Sequence, residues 1–256
     1  MQFFIYVFFL FLILLGYMFA QAKKNRVVEH HFSFKQFPSS FKEIRLFFIS
    51  DIHRRLISEK LIEQVEGGVD FVIIGGDIME KGVPFERVRE NIRTLKKLGP
   101  IYFVWGNNDY EVDFHQLDAL LLEENVKILD NTSALFESEE GDMVELLGVD
   151  DVSKKRSHLH LALADSRQES FKILISHNPS VHKKVKKEDG ISLVLSGHTH
   201  GGQIRLFGLG PYEKGGIKSL EHTTLFVSNG YGTTAVPLRL GAPAEAHVIV
   251  INGKHT

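Results

Sequence analysis

Two of the chain's thirteen histidines stand in Gly197-His198-Thr199-His200-Gly201-Gly202-Gln203. The stretch follows Ile191-Ser192-Leu193-Val194-Leu195, an apolar, β-branched run that reads as a buried strand. In extended backbone, residues i and i+2 point the same way, so His198 and His200 face one pocket. The flanking glycines permit tight turns and close approach of a ligand. Four upstream segments repeat the pattern of a strand followed by metal-ligating residue types. Residues 44–49 end in Ser50-Asp51-Ile52-His53, where carboxylate and imidazole again stand at i and i+2. Residues 70–74 end in Gly75-Gly76-Asp77, 101–105 in Gly106-Asn107-Asn108-Asp109, and 171–176 deliver His177. Each alone is as well explained by a helix-capping Asp or an incidental His. Their recurrence at strand ends points to a mixed nitrogen and oxygen site for a divalent cation such as Mn, Fe or Zn.

The elements that must position these groups alternate. Residues 56–66 read as a helix, and Phe85, Val88, Ile92 and Leu95 recur at amphipathic-helix spacing before Gly99-Pro100. Phe114, Leu117, Leu120 and Leu121 mark another helix. Strand-helix alternation argues an α/β fold with a parallel sheet, and ligands in such folds collect beyond the carboxyl ends of the strands. Shorter strands are expected at 126–129, 134–137 and 143–149, and further ones at 203–207, 224–227 and 246–251, the last set forming a second sheet. Asp150 and Asp151 read as turn residues, and His30 and His31 as exposed linker histidines without a role. His158 and His160 are either an exposed pair at a helix start or a lining of the substrate cleft. The four lysines after Pro179 read as the solvated face of a helix.

Composition sets the bounds. At 24% charged and 43% hydrophobic residues, with a net charge of −2, the chain has no global basic field, and no nucleic-acid partner is expected. With no cysteine, disulfides, zinc-thiolate sites and cysteine nucleophiles are excluded. Residues 3–20 are uncharged and almost wholly apolar, long enough to span a bilayer once. Lys23, Lys24 and Arg26 follow, and the positive-inside rule puts the domain beyond them in the cytoplasm. Ala20-Gln21-Ala22 fits the alternative, an export signal. The expected organisation is a transmembrane anchor at 1–22, a connector at 23–42 and one domain at 43–256.

Taken together, Asp51-Ile52-His53, Gly75-Gly76-Asp77, Gly106-Asn107-Asn108-Asp109, His177 and Gly197-His198-Thr199-His200 resemble the motifs of calcineurin-like metallophosphoesterases, in that family's order. Gly201-Gly202-Gln203 and the tail from Gly230-Tyr231-Gly232 to Pro237-Leu238-Arg239 resemble its membrane-associated bacterial branch. The resemblance implies two packed β-sheets with helices outside, a four-layer fold. It also implies two divalent metal ions, one held by Asp51, His53 and His200, the other by Asn107, His177 and His198, with Asp77 bridging. Such a pair binds phosphoryl oxygens and activates water for in-line attack. The implied substrate is a phosphomonoester, phosphodiester or pyrophosphate; attachment to a membrane favours a lipid-linked one.

The family's third motif usually reads Gly-Asn-His-Asp, its histidine serving the leaving oxygen and its aspartate orienting that histidine. Here Asn108 replaces the histidine, beside Asp109. An amide donates hydrogen bonds to a phosphate oxygen but no proton to a leaving group. Two functions follow: a membrane-anchored, metal-dependent phosphoesterase, or a non-catalytic metal-binding module on the same fold. Retention of all seven ligand types favours the enzyme.

Overall fold

The structure is a computed structural model describing residues 1–254; the last two residues of the expected 43–256 domain lie outside the described residues. The chain opens with helix α1 (Gln2–Ala22) and strands β1 (Val27–Phe34) and β2 (Glu43–Ile49). Then come α2 (Glu59–Ile62), β3 (Phe71–Ile74), α3 (Phe85–Leu95), β4 (Ile101–Phe103), α4 (Phe114–Glu123) and β5 (Lys127–Ile128). The second half holds β6 (Thr132–Glu137), β7 (Met143–Gly148), α5 (Leu159–Asp165), β8 (Phe171–Ile175) and β9 (Ile191–Ser196). It closes with β10 (Gly216–Ser219), β11 (Thr224–Val227) and β12 (Ala246–Gly253).

These strands form two six-stranded sheets, ordered β1-β12-β2-β3-β4-β5 and β10-β11-β9-β8-β7-β6. Strands β2 to β5 are parallel neighbours, as are β7, β8, β9 and β11. Period-2 alternation divides each strand between two cores. In β2, Phe48 packs between the sheets with Ile73, Ile173, Leu195 and Phe226, while Phe47 and Ile49 face α3 and α4 through Val88, Ile92 and Leu117. On the outer side of the second sheet, Leu174 and Val194 meet Leu159 and Ala162 of α5. The result is the expected α/β arrangement of two stacked sheets flanked by helices.

Several local expectations change. The segment expected as a connector carries β1, paired in parallel with β12 from Val27 against Ala246 to Phe34 against Gly253. Its inward residues, His30 and Phe32, pack on Phe226, so His30 is a half-buried sheet residue and His31 alone is exposed. The helix expected at 56–66 is one α-turn. Beyond it, Gln64 and Val65 donate to Leu61 and Ile62 three residues back, and Gly67 and Gly68 turn with positive φ. Pro179–Lys184 is a 3₁₀ helix. Residues 203–207 pair only through bridges at Ile204 and Leu206, so the strand expected there does not form.

Helix α1 is exposed along most of its length but fixed at its end. Met18 and Ala22 are buried, and the Met18 carbonyl accepts from Arg239 N at 3.0 Å. Arg55 covers the helix C-terminus, donating to the carbonyls of Ala22, Lys23 and Lys24 at 3.3, 2.8 and 2.7 Å. Its guanidinium also stacks on Tyr231, 3.6 Å from the ring centre.

Between the sheets, His247 is fully buried, with Nδ1 3.2 Å from His30 Nε2 and Nε2 2.8 Å from Ser228 Oγ. Burial, with the charges of His30 and Arg26 adding to it, holds it well below the ordinary imidazole value of 6.5. The unfolded imidazole binds a proton near 6.5 and the folded one does not. Its contribution is therefore complete above that value and is lost as pH falls below it. The denaturation midpoint should drop between pH about 7.5 and about 5.5, and His247→Gln should flatten the slope. An unchanged slope in the variant would remove His247 from the account.

Candidate metal centre

The seven expected metal ligands come from the carboxyl ends of β2, β3 and β4 in one sheet and of β8 and β9 in the other. The backbone does not continue as strand through them. Asp51, His53, Asp77, His198 and His200 have φ of 55°, 52°, 52°, 72° and 50°. Left-handed backbone of this kind costs on the order of 1 kcal/mol per non-glycine residue. Asp51 and His53 therefore converge through a reversed turn rather than through strand alternation. Backbone hydrogen bonds hold the turns to one another: Asp51 N donates to Gly76 O at 3.0 Å, Ile52 N to Asp77 O at 2.8 Å and Gly197 N to His177 O at 3.0 Å. Two glycines are required by close approach. A Cβ at Gly106 would lie 2.2 Å from Asp77 Oδ1, and one at Gly197 2.4 Å from Asp51 Oδ2.

Asp51, His53, Asp77, His177 and His200 are buried, whereas Asn107 and His198 are half-buried. His53 Nε2 lies 3.0 Å from His200 Nε2, and His200 Nε2 3.3 Å from Asp51 Oδ1. His177 Nε2 lies 3.2 Å from His198 Nδ1. Asp77 Oδ2 stands between the two sets, 3.2 Å from His177 Nε2 and 3.8 Å from His53 Nε2. The Asn107 Oδ1 atom is buried without a hydrogen-bond partner.

Outer contacts fix the rings. His177 Nδ1 is 2.8 Å from Gly75 O and His53 Nδ1 3.0 Å from Glu80 Oε2. Gly75 O holds the proton of His177 on Nδ1, which turns Nε2 of that ring toward the centre, whereas the His53–Glu80 contact is an ion-pair approach without hydrogen-bond geometry. Burial opposes charge on His177, but Asp77 beside it pushes the group up to about 10. Burial, with His53 and Arg239 nearby, pushes His200 down to about 3 despite Asp51. Burial also disfavours ionised Asp51, yet His200, His177 and His53 hold it well below the carboxylate range.

Asp109 is fully buried beside Asp77. Its Oδ2 accepts from Asp77 N and Gly106 N, each at 2.8 Å, and Oδ1 accepts from Met79 N at 3.2 Å. Both oxygens thus tie the β3 and β4 turns together. Burial, with the charge of Asp77, pushes this carboxyl up to about 7. Asn108 donates its backbone N–H to Asp77 Oδ1 at 2.8 Å and accepts from Asn107 Nδ2 at 3.0 Å, lining the cleft half-exposed. Three other contributors carry no spacing signal. Ser50 Oγ donates to Asp51 Oδ2 at 2.6 Å, Glu80 holds His53, and buried Arg239 places Nη2 3.2 Å from His200 Nδ1. His115, His158 and His160 lie away from the cleft, and Asp150 engages Tyr110 and Arg156.

The centre opens into a cleft of about 470 Å³. Asp77, Asn107, Asn108, His198 and His200 form its floor, and Ile204, Pro211, Tyr212, Ala235 and Val236 its mostly apolar rim.

The calcineurin-like phosphoesterase family model matches residues 44–202, which hold every one of these ligands. The chain is 44% identical over 238 residues to YpbG of Bacillus subtilis, covering 92% of this chain and 91% of that protein. It is 31% identical to a zebrafish (Danio rerio) "transmembrane protein with metallophosphoesterase domain", covering 90% of this chain but 58% of that one. Among solved structures, a 5′-nucleotidase precursor from Thermus thermophilus shares the fold at a TM-score of 0.50 and 13% identity, covering 81% of this chain and 55% of that one.

Replacing Asp109 with Ala strips three buried backbone N–H groups of their acceptor at about 1–3 kcal/mol each. Asp109→Ala should lower stability by at least about 3 kcal/mol and reduce bound metal, whereas Asn108→Ala should change stability by less than about 1 kcal/mol. Denaturant melts and metal analysis of both variants check this. Equal effects of the two would contradict the tie between turns.

Proposed function

The chain belongs to the calcineurin-like phosphoesterase family and is a metal-dependent phosphoesterase, and on that premise we propose a membrane-anchored hydrolase with a dinuclear centre. Asp51, His53 and His200 would hold one divalent ion, and Asn107, His177 and His198 the other. The observation that carries this is the position of Asp77 Oδ2 between His177 and His53, at 3.2 and 3.8 Å. The unpartnered Asn107 Oδ1, the His177 ring with Nδ1 bonded to Gly75 O and the His53 ring beside Glu80 fit the same group. The mixed nitrogen and oxygen donors suit Mn, Fe or Zn. Two such ions supply Lewis-acid charge to phosphoryl oxygens and a nucleophile at neutral pH.

The chain's own groups do the rest. Asn108 N–H fixes one oxygen of Asp77 and leaves the other toward the centre. The Asn107 amide donates to Asn108 Oδ1, so the Asn108 amide nitrogen is the atom free to donate to a phosphate oxygen. Asp109 would act on the reaction only through the two turns it joins.

The anchor is α1, whose 21 residues rise about 31 Å, close to the hydrocarbon thickness of a bilayer. Lys23, Lys24 and Arg26 then favour a cytoplasmic domain. The apolar cleft rim and the anchor together support a lipid-linked phosphate ester as substrate.

Purified protein should hydrolyse an aryl phosphate in the presence of Mn and lose that activity to a chelator; no turnover with any divalent ion would refute the catalytic assignment. General-acid help is worth about 10²- to 10⁴-fold, most for a basic alkoxide and least for an aryl oxide or phosphate. The wild type should therefore prefer aryl or pyrophosphate-type leaving groups over alkyl ones, and Asn108→His should narrow the gap in kcat/KM. Equal wild-type rates on both ester types would mean that another group supplies the proton.

A further inference from the structure

One apolar feature beside the cleft has no partner among the described residues. Leu206 and Leu209 exchange backbone hydrogen bonds at 2.9 Å in both directions, closing a two-residue hairpin over Phe207 and Gly208. Both turn residues have positive φ, 52° and 82°, a geometry that favours Asn-Gly. The chain instead places Phe207 there, fully solvent-exposed, between Leu206 at 58% and Leu209 at 78% exposure. An aromatic side chain in left-handed backbone that packs on no described residue, flanked by two exposed leucines, forms an apolar tip open to a contact outside the fold.

The position of the hairpin identifies that contact. Arg205 N donates to Leu240 O and Leu240 N to Gln203 O, while the adjacent Arg239 N donates to Met18 O in α1. A run of backbone hydrogen bonds therefore joins the foot of the hairpin to the apolar helix. Met18 lies about 6 Å along the helix axis from Ala22, so the domain is seated against the last turn of α1 rather than tethered beyond it. Arg205 makes the hairpin rigid, donating to Gly201 O at 3.1 Å and also to the carbonyls of Gly208 and Tyr212. Ile204 and Pro211, just outside the hairpin, line the metal cleft, and across it Val236 lines both that cleft and the groove beside Ala22 and Lys23.

We propose that the Leu206–Leu209 hairpin is a second membrane contact, inserting its apolar tip into the bilayer that α1 enters and seating the cleft mouth at the phospholipid headgroup layer. The inference rests on the reading of α1 as a membrane anchor. It gives the lipid-linked substrate a route, in which a headgroup phosphate reaches the centre while its tail stays in the bilayer. Apolar insertion beside a basic juxtamembrane segment, here Lys23, Lys24 and Arg26, is the chemistry of interfacial binding.

Because the chain has no cysteine, single sites can be labelled in the whole 256-residue chain. Phe207→Cys, Phe11→Cys in α1 and Glu140→Cys in the exposed β6–β7 turn would each carry an environment-sensitive fluorophore. Each would be reconstituted in phosphatidylethanolamine and phosphatidylglycerol vesicles containing brominated phospholipid, after confirming an unfolding midpoint like that of the parent. The expected result is bromolipid quenching at 207 and 11 but not at 140. Quenching at 11 without quenching at 207 overturns the hairpin contact and leaves the anchor standing. No quenching at 11 overturns the anchor, and this proposal with it. Shielding of 207 that depends on protein concentration and not on bromolipid assigns the tip to a second copy of the chain and likewise overturns the proposal.

Discussion

The Asp77 carboxylate lies where the two sheets meet, within 3.2 Å of an imidazole delivered by one and 3.8 Å of an imidazole delivered by the other. It is 2% exposed, and Asp51 and Asp109 beside it are fully buried. Carboxylates cannot be withdrawn from water in this way without compensating positive charge or hydrogen bonds. Here the compensation comes from His53 and His177, which the carboxylates hold toward the charged form, from backbone N–H groups and, in the proposed working state, from two cations. The local architecture follows from that constraint. Gly106 and Gly197 exist as glycines because a Cβ would collide with these carboxylates. Asp109 spends both oxygens on backbone donors of the turns that present Asp77.

Holding such a cluster opposes local backbone preference. Five of the proposed ligand residues occupy left-handed conformations, each unfavourable by on the order of 1 kcal/mol. What offsets this lies elsewhere, in the three apolar layers formed by the paired sheets and their helices. The parallel strands bring their carboxyl ends to one edge, so a rigid apolar scaffold presents strained, polar turns. Arg239 extends the same logic, as a buried guanidinium satisfied by the carbonyls of Asn229, Gly232 and Ala242 while it faces His200. Because its backbone also holds Met18, the turn that supports His200 is the turn that grips α1.

Much of this was legible in the sequence because it rests on short-range signals. Apolar, β-branched runs located the strands, and the residues just past them are the ones the structure gathers. The reason for their convergence was not legible, since left-handed turns at Asp51 and His53 leave no mark in residue type. Nor was β1, whose parallel partner lies more than 200 residues along the chain. Glu80 and Arg239 reach the centre from loops placed only by tertiary packing. The separate role of Asp109 was hidden for a related reason: a backbone N–H acceptor looks the same in sequence as a side-chain orienter. Phe207 shows the converse, because only the structure reveals that an ordinary apolar residue is fully exposed in a turn suited to asparagine.

The central claim is that Asp77 joins two cation sites built from the two sheets. Anomalous diffraction from crystals of the protein grown with Mn tests it most directly. The account predicts two manganese peaks per chain about 4 Å apart, one against Asp51, His53 and His200, the other against Asn107, His177 and His198, with Asp77 touching both. A single peak, or two peaks of which Asp77 touches only one, would contradict it.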